Sequence, residues 1–224
     1  MPGPKLALEG YTIVLAGILQ PLEFQPSALA REDVLSSEDA LNAKIGFLFP
    51  EHCLFTTDRL QVSVTPQRLD ASTPDPSQVG PLRDVVMGAW SVLASKITVL
   101  KVGLNCQMHF ALDSVDQWHA VGHALAPKSV WLPVMGEPGT QSLTILGKRP
   151  ESTAEHLLIT VQPSKKVPNG VFVSTNEQHG AIPLNTGKVK PEILASTWES
   201  AIAYARKVAD HILQSTIESI HCHV

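Results

Sequence analysis

The sequence predicts an α+β protein: a mostly antiparallel sheet of about six to seven strands, helices on one face, and a long C-terminal helix. Three observations predict it. In "KVGLNCQMHFAL" (101–112), Val102, Leu104, Cys106, Met108, Phe110 and Leu112 alternate with Lys101, Gly103, Asn105, Gln107, His109 and Ala111. A two-residue period with one apolar and one polar face belongs to a strand covered on one side only. In "PLRDVVMGAWSVLAS" (81–95), Leu82, Val85, Val86, Ala89, Trp90 and Leu93 share one helical face, and Pro81 suits a first turn. Over 191–220, Leu194, Trp198, Ile202, Ala205, Val208, Ile212 and Thr216 line one side of a long helix. Glu199, Arg206, Lys207 and Asp210 fall on the other side.

The remaining elements follow in order. Residues 12–19, 44–49, 54–64, 142–146, 156–162 and 170–175 are apolar or alternating runs and predict strands. The last two flank "PSKKVPNG", whose Pro, Asn and Gly predict a hairpin loop. A helix over 113–125 would bury Val115, Trp118, Gly122 and Leu125, capped by Asp113 or Ser114. "DASTPDPSQVGP" (70–81) reads as linker and "APKSVWLPVMGEPGT" (126–140) as a long surface loop. Neither forces a domain boundary. The chain is expected to be a single α+β domain, 1–224, with a possible pseudo-repeat of strands and a Trp-bearing helix in 1–98 and 99–224.

Composition narrows the function. The chain is 44% hydrophobic and 17% charged, with net charge −4. Neither half has a surplus of cations to offset a phosphate backbone, which disfavours general nucleic-acid binding. Three cysteines without a CxxC pair do not make a disulfide framework and point to a reducing compartment. The apolar run at 13–19 is too short to span a bilayer and lacks the flanks of a signal peptide. The protein is expected to be cytoplasmic.

The succession "DRLQVSV", a Trp-bearing helix, "ITVLKVGLNCQMHF" and a long closing helix resembles an uncharacterised, sporadically distributed prokaryotic protein family. There a Gly-Leu-x-Tyr-x-Asn strand follows a similar helix. Here Gly103 and Leu104 match, while the family's aromatic and second polar position are missing. The resemblance implies the fold and no activity. In outline, the sheet and terminal helix are also similar to SecB-type export chaperones.

Candidate chemistry is sparse. His119 and His123, four apart in "DSVDQWHAVGHAL", share a helix side, and His109 on the polar face of the preceding strand, or Asp116, offers a third ligand for zinc or another divalent cation. A zinc-protease helix needs Glu after its first His, and Ala120 stands there. The bland alternative is a core helix flanked by solvated histidines. "IHCHV" at the C-terminus groups His221, Cys222 and His223 as adventitious chelators. Cys106 is expected among buried neighbours, and Cys53 and His52 on opposite strand faces. Asn176, Glu177 and His179 read as a solvated loop or a polar cluster at a strand end. No phosphate loop, dinucleotide fingerprint or nucleophile elbow is present.

The polar but nearly uncharged strand face carrying Asn105 and Gln107, and Trp131 in an irregular segment, are candidate protein-binding residues; the alternative for Trp131 is a loop that tucks its aromatic back onto the core. The sequence therefore points to a non-enzymatic protein-binding or assembly module, a homo-oligomer or subunit of a larger complex, without a cofactor. The alternative is a metal-dependent, hydrolase-like enzyme built on His119, His123 and His109.

Overall fold

The alternating segment at 101–112 lies at the centre of the sheet. The computed structural model describes residues 4–180 and 189–221, with side chains as far as 216. In it, β6 (Thr98–Ala111) pairs antiparallel with β1 (Lys5–Ile18) on one side and β9 (Gly170–Gly180) on the other. The sheet has nine strands, in the order β2-β3-β4-β5-β1-β6-β9-β8-β7, and every neighbouring pair is antiparallel. Strands β2 (Lys44–Phe49), β3 (His52–Thr56), β4 (Gln61–Thr65) and β5 (Arg68–Thr73) form a meander on the β1 side. Strands β7 (Leu143–Gly147) and β8 (His156–Pro163) complete the β9 side.

Nine strands instead of six or seven arise at two places. The predicted run 54–64 is broken by a turn at Thr57, whose Oγ1 accepts the amide N–H groups of Arg59 at 3.2 Å and Leu60 at 3.1 Å. That splits it into β3 and β4. The start of the predicted linker belongs to β5, which buries Leu69, Ala71 and Thr73. Two short helices not foreseen, α1 (Pro26–Arg31) and α2 (Ser37–Asn42), lie between β1 and β2.

One sheet face carries α3 (Val79–Val92), α4 (Val115–Leu125) and α5 (Glu192–His221). Its residues are Tyr11, Ile13 and Leu15 of β1, Leu104, Cys106 and Met108 of β6, and Val171 and Val173 of β9, all buried in one core. Helix α3 buries Leu82, Val86, Ala89 and Trp90 as the periodicity predicts. Helix α4 is rotated from its predicted face. Val115 is exposed, Val121 is buried, and Ser114 caps by accepting the Gln117 N–H at 3.1 Å. Helix α5 buries Leu194, Trp198, Ala201, Ile202, Ala205, Ala209 and Leu213, with Val208 and Ile212 flanking. Its small side chains let it lie close to the sheet. No helix among the described residues is long and apolar enough to cross a membrane.

β1 and β6 touch most closely at Gly17, where a Cβ would fall on the Thr98 carbonyl oxygen. Trp198 ties α5 to the rest. It meets Tyr11 edge-to-face with ring centroids 6.4 Å apart, and its indole N–H donates to the Val79 carbonyl at 2.9 Å. Because Trp198 is fully buried, Trp198→Ala is expected to lower stability by about 4 kcal/mol. Urea unfolding followed by circular dichroism measures it.

Candidate functional site

His119 and His123 occupy one side of α4, as their spacing requires, with nearly stacked rings whose centroids are 6.3 Å apart. Both are exposed. His109 does not join them. The strand period that points Met108 and Phe110 into the core points His109 to the opposite face. There it is buried against Phe172 and Ser164, with Nδ1 2.8 Å from the Ser164 hydroxyl. Burial and nearby Lys166 hold its imidazole below the ordinary value. The sheet therefore separates the proposed third ligand from the first two. Among the described residues no three His, Cys, Asp or Glu side chains converge as a metal would need, Asp116 included.

The helix-free face of the sheet is polar, as the alternation of β6 predicts. Its centre is a ladder of amides across three strands. Asn105 Nδ2 donates to the Thr12 carbonyl at 3.4 Å, Asn176 Nδ2 donates to Asn105 Oδ1, and Gln178 Nε2 donates to Asn176 Oδ1 at 2.8 Å. Asn105 is thus half-buried and committed to its neighbours. Gln107 is exposed beside it.

Trp131 lies in the irregular segment predicted for it, after a single 3-10 turn at Lys128–Val130. It is 50% exposed. Val130, Leu132, Val134 and Met135 are exposed around it, and so are Ile145 and Leu146 of the outer strand β7. At the other end of the sheet every residue of β2 is exposed, including Ile45, Phe47, Leu48 and Phe49. Both edges of the sheet are apolar.

Of the two readings of Asn176, Glu177 and His179, the favoured solvated loop does not hold and the polar cluster at a strand end does: they form the last part of β9 and sort by face. Asn176 and Gln178 join the amide ladder, while Glu177 and His179 turn into the core under α5. Arg149 Nη1 lies 3.1 Å from Glu177 Oε2, the Ser152 hydroxyl donates to Glu177 Oε1 at 2.9 Å, and His179 Nε2 lies 3.2 Å from the same oxygen. Neither ring nitrogen of His179 makes a well-directed hydrogen bond among the described residues. The Arg149 guanidinium also covers the Tyr204 ring of α5 at 4.8 Å. Burial alone would raise the Glu177 carboxyl, but His179, Arg149 and Ser152 outweigh it and hold it below the ordinary range. This network is a clamp between the 148–155 segment, β9 and α5. No nucleophile is activated in it, since Ser152 and His179 both address the carboxylate and not each other. No sequence signal marked this end of the strand, because Ser174 to His179 are all polar and carry no apolar alternation.

The cysteines behave as their burial dictates. Burial pushes the Cys106 thiol up to about 12, against an opposing hydrogen bond with Thr175, and the Cys53 thiol up to about 11. Cys53 and His52 lie on opposite faces of β3. The C-terminal Cys222 and His223 and the His221 side chain lie outside the described residues.

The lowered Glu177 pKa fixes the sign of an acid effect. The unfolded chain binds a proton more readily than the native one, so stability contributed by this pair is present above about 4.5 and fades as pH falls below it. Glu177→Gln should lower stability at neutral pH and flatten this acid dependence, measured by urea midpoints from pH 7 downward. Arg149→Ala leaves a buried carboxylate unpaired and should cost about 3 kcal/mol. No protein-family model matches the chain, and no curated protein is significantly similar to it.

Proposed function

We propose that this protein is a non-enzymatic binding or assembly module that works as a homo-oligomer or as a subunit of a larger complex. The observation that carries the reading is β2. It is a terminal strand whose outer backbone edge has no partner strand among the described residues, and its apolar residues stand in water: Ile45 is 49%, Phe47 47%, Leu48 40% and Phe49 58% exposed. An open edge is a template for another strand. Natural sheets blunt such edges with charge or proline, and β2 carries only Lys44 at its start, with a kink between Ile45 and Phe47. Apolar residues contiguous at an edge mark an association surface.

The opposite edge supports the same reading. Trp131 and its neighbours offer the aromatic and aliphatic side chains that anchor interfaces, beside the exposed outer strand β7. Gln107 and the amide ladder present a face with hydrogen-bonding capacity and little charge, suited to a polar contact zone. A hydrolase-like centre on His119, His123 and His109 has no comparable support, because the sheet stands between its ligands.

The test is sedimentation velocity of the full chain and of the double variant Phe47→Lys, Phe49→Lys, with far-UV circular dichroism confirming the fold. The expected result is an oligomer or heteromeric complex that dissociates in the double variant. Trp131→Ala should weaken association by about tenfold if that edge also takes part. A chain that is monomeric at every concentration, carries no partner from its source and is unchanged by either substitution overturns the reading.

A further inference from the structure

Between α4, the 126–140 loop and the strands β7 and β8 lies an open-mouthed cavity of about 560 Å3. Its floor is Val161 and Val171 on the helix-bearing face of the sheet. One wall is Trp118 and Leu125 of α4, and Leu132 and Pro138 form the roof. Folded interiors leave few voids larger than a water molecule. An apolar cavity of roughly 150 Å3 already takes up benzene, so this one has room for roughly three such rings.

The roof is pinned. Lys128 Nζ donates to the carbonyls of Gly122 at 3.1 Å and Ala126 at 2.7 Å, and also to Thr140 Oγ1. Thr140 Oγ1 in turn donates to the Gly122 carbonyl at 3.2 Å. The Gly122 carbonyl already accepts the Ala126 N–H at 3.2 Å and takes these as further bonds, while the Ala126 carbonyl just past α4 gains Lys128; together they fasten both ends of the loop to one helical turn. The cavity is therefore preformed.

The same bonds decide the charge of an occupant. The three N–H donors of the Lys128 ammonium are all used by neutral oxygens, which leaves its charge in place and no donor for an occupant. The other formal charge at the lining is Glu137, exposed at the mouth. Lys128 and Glu137 leave the lining without net formal charge, and an anionic head group would find no free N–H at Lys128 while meeting the Glu137 carboxylate at the mouth. His119 and His123, whose spacing invites a metal, stand at the rim instead, where their ring nitrogens can meet a hydroxyl, carbonyl or similar group. Gly122 adds a second sign of a built site. Glycine is a poor helix former, and a Cβ here would meet only Thr140 Oγ1, at 3.8 Å. Packing does not require the glycine, and its absent side chain keeps the wall open.

We propose that this cavity binds an uncharged, mainly apolar small molecule of roughly two to three ring volumes, its polar end towards His119 and His123. The proposal does not depend on association through the β2 edge, which lies at the other end of the sheet.

The test is a fluorescence titration of the full chain with N-phenyl-naphthylamine, a neutral probe that brightens on entering an apolar site. The expected result is saturable binding of one probe per chain, weakened about tenfold or more by Gly122→Leu, which fills the cavity. Leu132→Glu, at an exposed roof position, should weaken it comparably without touching the helix. The double variant Phe47→Lys, Phe49→Lys should leave it unchanged. Unsaturable binding, or binding lost in the β2 variant and retained in both cavity variants, overturns the proposal. So does equal or tighter binding of the anionic probe anilinonaphthalene sulfonate.

Discussion

The long antiparallel pairing of β1 with β6 is the constraint on which the molecule depends. It runs from Lys5 opposite Ala111 to Ile18 opposite Thr98. The strands that precede α3 fill the sheet on one side of this pair, and those that follow β6 fill the other side, so the pair joins both halves of the chain. Its register is enforced by burial. A slip of β6 by one residue would turn Leu104, Cys106 and Met108 towards water and bring Asn105 and Gln107 into the core, and a slip of β1 would do the same to Tyr11, Ile13 and Leu15. Gly17 lets the two backbones meet at the end of the pairing.

From that register the polar groups acquire their places. Across β9 the same alternation sends Asn176 and Gln178 to the helix-free face and Glu177 and His179 beneath α5. On the first face, amides satisfy one another without charge. On the second, a carboxylate is tolerable only because Arg149 and Ser152 reach it, since an isolated buried charge is far costlier than a paired one. The clamp and the Trp198 contact both hold α5, one through charge and one through apolar area. They share no residue, so the helix is fixed at two independent points.

What the core does not cover is concentrated at the ends of the sheet. β2 exposes apolar residues along one edge. Beyond β7 the 126–140 loop exposes others and arches over the cavity. The two ends differ in kind. The β2 edge offers exposed apolar residues and a backbone ladder without a partner strand among the described residues, which suits another strand. The β7 end has a pinned roof and an apolar hollow, which suits a small molecule. Lys128 and Thr140 together hold the loop to the end of α4 and so keep the hollow roofed.

Periodicity determined the α+β class, the central strand, the core faces of α3 and α5 and the burial of Cys106, while the irregular stretch 126–140 read as a surface loop without deciding whether Trp131 faces water. Each depends on side chains within a few residues of one another, and local geometry is what a sequence pattern encodes. The break at Thr57 was missed because a hydroxyl that closes a turn leaves the apolar pattern on both sides intact. β5 was taken for linker because its buried residues include Ala71 and Thr73, which carry little hydrophobic signal. Which side chains meet across elements was decided only by the tertiary structure. His109 is close in sequence to His119 and His123 yet divided from them by the sheet, while Arg149, Glu177 and Tyr204 are far apart in the chain and in contact. The apolar edges and the cavity beneath the loop belong to the same class. They are defined by what the packed chain leaves uncovered, and that quantity exists only once every strand has its neighbours.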